Sequence, residues 1–195
     1  MASVSRISGF RPVKNTTGAP YSGKASLYFV PSSDSTVIMV GDAVKLAGDA
    51  RAASGAPTVT RCGATDIPVG IVVGILFSGV GNEVTNVPAV NDLNTPVYRR
   101  ASTDRYLLVA DDPTLIYEVQ YAGTSVAAAT ITANVGLNGQ FTTTAGSTTS
   151  GSSGMQLGST GLAATATLPL KIVGFPSRPD NVPGDTYFSY YVMLN

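Results

Sequence analysis

Histidine and tryptophan are absent from this 195-residue chain, cysteine occurs once, and charged residues make up only 12% of it. The lack of histidine removes the usual catalytic triads, the commonest zinc ligand and most general bases near neutrality. One cysteine, Cys62, can form neither an internal disulfide nor a cysteine-rich metal site. Its surroundings are neutral apart from Arg61, which marks the thiol as inert. No paired acids stand at a spacing that suits shared-proton chemistry. Asp111 and Asp112 are adjacent, and neighbours on a strand or tight corner point apart. A Ca²⁺ site built from these two and loop carbonyls would lack the acid spacing of a calcium loop. The residues therefore predict no enzyme, no cofactor and no metal.

The scarcity of charge has its own consequence. Ordinary soluble proteins are about 25% charged. A compact monomer of 19.9 kDa would expose roughly 8,700 Å². The twelve basic and twelve acidic side chains would then have about 360 Å² each, near the size of the largest apolar patch on a typical monomer. Ser, Thr, Asn and Gly cover part of such a surface, and burial against other subunits is the other natural cover. Zero net charge gives no nucleic-acid footprint. The longest apolar run, Ile67 to Gly81, is broken by Pro68, Gly70, Gly74 and Gly79 and falls short of the ~20 residues a membrane helix needs. The start, MASVSRISGF, lacks a signal-peptide core. The expectation is a soluble, unprocessed protein made in the cytoplasm, with neither membrane nor nucleic acid as partner.

What is present is strand after strand. Arg105 to Gln120, RYLLVADDPTLIYEVQ, reads as two apolar strands around the corner Asp111-Asp112-Pro113, an organising hairpin. Tyr117 and Val119 fall on one face of the second strand, Glu118 and Gln120 on the other. Further strands are expected at Ser26–Val30, Thr36–Val40, Ala43–Leu46, Thr58–Arg61, Thr167–Phe175 and Thr186–Leu194. The Ile67–Phe77 run suits one long bent strand or two short ones. Gly48–Pro57 and Ser78–Pro96 read as loops, and Ala145–Gly154, AGSTTSGSSG, as a mobile tip. Thr124 would cap a short helix over SVAAATITAN, with a strand as the alternative. The predicted class is mainly β: a sandwich or barrel-like domain of many short antiparallel strands, with at most one short helix. Residues 27–195 form this domain, with a Ser/Thr/Gly-rich insertion around 122–156.

Residues 1–26 read as an extended N-terminal arm. Arg6, Arg11, Lys14 and Lys24 are its charges, no acid precedes Asp34, and prolines and glycines rule out a useful helix. A frayed terminus is the bland alternative. Anchors at Phe10 and Tyr21 favour a segment laid across a neighbour, which makes Arg6, Phe10, Arg11, Lys14 and Tyr21 the candidate interface residues. Arg99, Arg100 and Arg105 read as solvated surface. The aromatic run Tyr187, Phe188, Tyr190 and Tyr191 could line a sugar-binding groove, but alternating packing at a core or subunit interface explains it more simply. Gly79 to Val84, GVGNEV, starts like a nucleotide loop but lacks its third glycine.

Several stretches together resemble the capsid cement or decoration proteins of tailed bacteriophages. The carrying residues are GFRPV (Gly9 to Val13) with GAPYSG (Gly18 to Gly23), GDAVKLAG (Gly41 to Gly48) and IPVGIVVGI (Ile67 to Ile75). YRRASTDRYLLVADDP (Tyr98 to Pro113) with IYEVQ, and LPLKIVG (Leu168 to Gly174), complete the set. The resemblance covers most of the chain and departs most over Ala122 to Gly154. It implies a β-rich homo-oligomer, dimer or trimer, on the capsid exterior of a virion. There it would bridge neighbouring copies of the major capsid protein and stabilise the shell. A carbohydrate-binding or fibre-type adhesion module is the alternative, although such modules often carry tryptophan.

Overall fold

The computed structural model describes residues 4–76, 97–123 and 126–195. The loop expected over Ser78–Pro96, including GVGNEV, lies outside them, as does Thr124. The described chain is mainly β, with one helix of six residues. In order come β1 (Arg11–Asn15), β2 (Ser26–Val30), β3 (Ala43–Ala50), β4 (Pro57–Arg61), β5 (Gly70–Leu76), β6 (Arg105–Ala110) and β7 (Leu115–Gln120). Helix α1 (Ala128–Ala133) follows, then β8 (Asn138–Gly139), β9 (Phe141–Ser147), β10 (Ser152–Leu157), β11 (Leu170–Gly174) and β12 (Ser189–Leu194).

Strands β2-β4-β3-β5-β6 close into a barrel, and β1-β7-β12-β11-β8 form a five-stranded sheet, with β9 and β10 as a separate hairpin. Alternation along the strands decides which side chains go where. Leu107 and Val109 of β6 fill the barrel with Tyr28, Val30, Val44, Val59 and Val72. The outward Ala110 instead joins Ala43, Cys62 and Ile71 in the larger core against the sheet, beside Tyr117, Phe188 and Tyr190. Small residues on the barrel wall make room for the aromatic rings of the sheet. Gly70 meets a different need, the close approach of β5 to β6: a Cβ there would collide with the Ala110 carbonyl oxygen. The Asp42 carboxylate ties barrel to hairpin, accepting from the Ser153 hydroxyl at 2.6 Å and the Met39 amide at 2.8 Å. Burial holds its pKa above the ordinary value, although Arg61 lies 3.1 Å away.

Three expectations change on this fold. The stretch 105–120 is two strands about an acidic corner, but they do not pair with each other as a hairpin. Strand β6 pairs with β2 and β5 in the barrel, and β7 pairs with β1 and β12 in the sheet. The corner is thus the crossing between the two layers. Asp112 folds it by accepting from the Thr114 amide and hydroxyl, and Asp111 fastens it to β2 through Ser26 and Tyr28. The Tyr117 hydroxyl closes it from inside by donating to the Ala110 carbonyl at 2.9 Å. A Tyr117→Phe variant, which removes that hydrogen bond, should lose about 1 kcal/mol in urea unfolding. An unchanged midpoint would show that the clamp does not matter.

The second change concerns AGSTTSGSSG, whose two ends belong to β9 and β10, with only residues 148–151 forming the turn between them. Ser153 and Gly154 are buried, and a Cβ on Gly154 would strike the Ala145 carbonyl oxygen. Third, Thr36–Val40 forms isolated bridges, Ile38 to Arg99 and Val40 to Ser152, instead of a full strand. The helix over SVAAATITAN is present, but Ala127 occupies its N-cap, without a side-chain hydrogen bond, where Thr124 was expected to act.

Candidate functional site

Residues 9–15 of the expected N-terminal arm are built into the domain, while residues 4–8 are exposed. At Gly9 (φ 74°) and Gly41 (φ 93°) two backbones meet so closely that a Cβ on either would clash with the other segment. Both need glycine's left-handed freedom. Past Gly9 the Phe10 amide donates to the Gly41 carbonyl at 2.9 Å. The Phe10 ring enters the main core, 2% exposed and edge-on to Phe141 at 5.4 Å. Residues 11–15 then pair antiparallel with β7, Arg11 opposite Glu118. Phe10 is therefore a core residue of its own chain and cannot serve as an anchor in a neighbour. The extended, exposed piece is short, residues 4–8.

Arg6 and Arg11 are brought together, on the face of the sheet away from the core. Arg11 pairs with Glu118 at 3.1 Å, and Arg6 with Asp180 at 3.3 Å. The Arg6 amide also donates to the Gln120 side chain at 2.8 Å. Arg178 completes the cluster, reaching Glu118 at 2.7 Å and Asp180 at 3.3 Å. Its hydrogen bond to Glu118 raises its pKa further. These groups line a polar pocket of about 120 Å³. Lys14 stands apart, with its ammonium 5.2 Å over the Tyr191 ring. Tyr21 is half-buried against the core, and its hydroxyl donates to the Lys24 carbonyl. Burial raises its pKa.

Glu118, Arg178 and Asp180 were not among the residues expected at the site. Glu118 lay on the predicted polar face of β7, but its partner depends on the β1–β7 register. Arg178 and Asp180 lay in a loop read only as turn-rich. Three guanidiniums against two carboxylates leave one positive charge in excess. Glu118 is largely buried under its two arginines, but the Arg6–Asp180 pair is exposed on both sides and contributes about 0–1 kcal/mol, so it holds residues 4–8 against the sheet without locking them there. Among the described residues no group of three His, Cys, Asp or Glu could hold a metal ion. The Cys62 thiol is buried, and burial pushes its pKa up to about 12.

The chain matches no protein-family model, no curated protein and no solved structure. What it can do is read from its own surface.

Two other features are decided by burial, the first against expectation and the second in line with it. Arg99, read as solvated, is 0% exposed. Its guanidinium donates to the carbonyls of Pro31 (2.8 Å), Asp34 (2.7 Å), Thr103 (2.9 Å) and Thr36, in a pocket made by the loops around it. The aromatic run at β12 packs as a strand should. Phe188 and Tyr190 are buried with Phe175 and Tyr121 stacked edge-on, and Tyr191 faces Lys14. No row of open rings is left there to form an aromatic platform.

Proposed function

We propose that this protein is a structural component of a tailed-phage virion that binds the outside of the capsid and bridges neighbouring major capsid subunits. One observation carries the reading beyond the sequence resemblance: the folded surface is thinly charged and dotted with large apolar side chains. The chain exposes 9,572 Å², so each charged side chain has about 400 Å², a span that on most monomers would count as a sizeable patch. Val4, Leu46, Ile67, Val97 and Val182 are each at least half exposed. Such a surface suits contact with other proteins. A rigid two-layer body touching several shell subunits adds area across their joints, and its separate weak contacts act at high effective concentration.

Residues 4–8 are the segment best suited to reach a neighbour. Val4 is 66% and Ile7 40% exposed, and they flank the Arg6 side chain. Arg11, Lys14 and Tyr21 form the adjoining rim. Removing residues 1–8 leaves Phe10 and β1 in place, and should weaken retention on heads at least tenfold while the urea midpoint stays near that of the full chain. Full retention by the truncated protein on undecorated heads would overturn this contact.

A further inference from the structure

We infer that the polar pocket between the N-terminal segment, β7 and residues 178–189 is a binding site for a carboxylate group of a partner protein. Gln120 carries this. Alternation along β7 puts it with Glu118 on the face away from the core, yet it is only 7% exposed. Its Oε1 accepts from the Arg6 amide at 2.8 Å, which fixes Nε2 as the donating end of the side chain. Among the described residues Nε2 has no acceptor, although Gln120 lines the pocket and Nε2 is not sealed from it. A donor so placed calls for a partner. Asn181, on the same wall, provides the contrast. Its Nδ2 donates to the Pro176 and Ser189 carbonyls and its Oδ1 accepts from the Ser189 amide, so it is fully engaged in holding its loop.

The charges around Nε2 select the ligand. The charged groups lining the pocket are Arg6, Arg11, Arg178, Glu118 and Asp180, which sum to one positive charge. A guanidinium has five N–H donors, and Arg6 and Arg11 each turn one nitrogen to a carboxylate. Both keep donors for a further acceptor. A monoanion neutralises the excess. A phosphate group, at about −1.5 to −2, would overshoot it beside two carboxylates already in place. A carboxylate also offers two in-plane oxygens, one for a guanidinium fork and one for the Gln120 amide. The space of about 120 Å³ is small beside the ~300–1,000 Å³ of sites for drug-sized ligands, and suits a single side chain or chain end. Val4 and Tyr187 supply apolar wall for its stem. Tyr187 does so from a left-handed backbone (φ 61°), a conformation that bulky residues keep mostly at functional sites. Such a group comes from an Asp or Glu side chain or from a free C-terminus. Taking its bearer to be a shell subunit rests on the function proposed above, whereas the pocket's chemistry does not.

NMR titration of the isotope-labelled full chain tests this without capsids, so a failure here and a failure of head binding are separate results. The probes are a glutamate flanked by glycines with both ends capped, an acetylated glycine peptide with a free C-terminus, the capped peptide with glutamine in place of glutamate, and inorganic phosphate. At least one of the two carboxylate peptides should move the Gln120 side-chain amide and the Gly9 backbone amide and reach saturation. Whichever binds more tightly identifies the source of the carboxylate. The glutamine peptide should leave both signals in place, and phosphate should bind more weakly. Arg6→Gln, at an exposed side chain, should weaken binding about tenfold, the usual effect of losing a hydrogen bond to a charged group. Gln120→Glu, which sets a carboxylate in the pocket from within, should abolish it. Circular dichroism confirms that the variants are folded; if Gln120→Glu is not, Arg6→Gln decides. Carboxylate peptides that move neither signal, a glutamine peptide that binds as well, phosphate that binds more tightly, or folded variants that bind like wild type would overturn the inference.

Discussion

Arg99→Ala is expected to remove about 3–5 kcal/mol of unfolding free energy, the usual cost of deleting one partner from a buried charge network. The guanidinium has no contact with solvent. Its donors reach four carbonyls, those of Pro31, Asp34, Thr36 and Thr103, and its charge faces the Asp34 carboxylate at 3.7 Å. Burial lowers its pKa, with Asp34 and Asp104 opposing, yet an arginine stays protonated in proteins. Truncation would leave the Thr36 and Thr103 oxygens without this donor, each costing about 1–3 kcal/mol if water cannot replace it, while the Pro31 and Asp34 carbonyls keep the backbone amides of Asp34 and Ser102. Arg99→Lys should recover less than half of the loss, because three donors on a point cannot replace a planar fork. Against a typical total of 5–15 kcal/mol, the alanine variant would sit close to unfolding. Urea titrations of both variants provide the check. Losses under about 1 kcal/mol for each would mean that the loops hold their shape without the arginine.

The features legible in the sequence were those set by local chemistry. The β6 and β7 runs, the Asp111-Asp112-Pro113 corner, the helix in SVAAATITAN and the alternation of β12 all follow from side-chain period and turn residues. The misread features depend on a distant segment. Nothing in RYLLVADDPTLIYEVQ says that its first half pairs with Ser26–Val30 and its second with Arg11–Asn15. The Ser/Gly stretch at 145–154 looks like linker until Asp42, more than a hundred residues earlier, accepts the Ser153 hydroxyl. Arg99 shows the same dependence. An arginine is surface by default, and only the carbonyls that surround it in the fold make it an interior residue. For the candidate site, Arg6 and Arg11 were visible as exposed basic residues. Their acids were hidden in a strand register and in a loop whose position depends on Asn181, which accepts from the Ser189 amide.

Phe10→Ala separates a folded N-terminus from a detached arm. With the ring 2% exposed and edge-on to Phe141, its removal should cost the isolated protein about 3–5 kcal/mol, the usual range for a buried phenylalanine. A detached anchor would behave in the opposite way, leaving the urea midpoint of the free protein unchanged and lowering only its retention on heads. Val4→Ser with Ile7→Ser supplies the contrast, since both side chains are exposed. The pair should leave stability within about 0.5 kcal/mol and weaken head binding instead. The two experiments divide the segment at Gly9, where the left-handed turn carries the chain from the exposed piece into the core. If Phe10→Ala proved as stable as wild type, residues 10–15 would not be part of the folded domain, and the whole 1–26 stretch would again be free to lie across a neighbour.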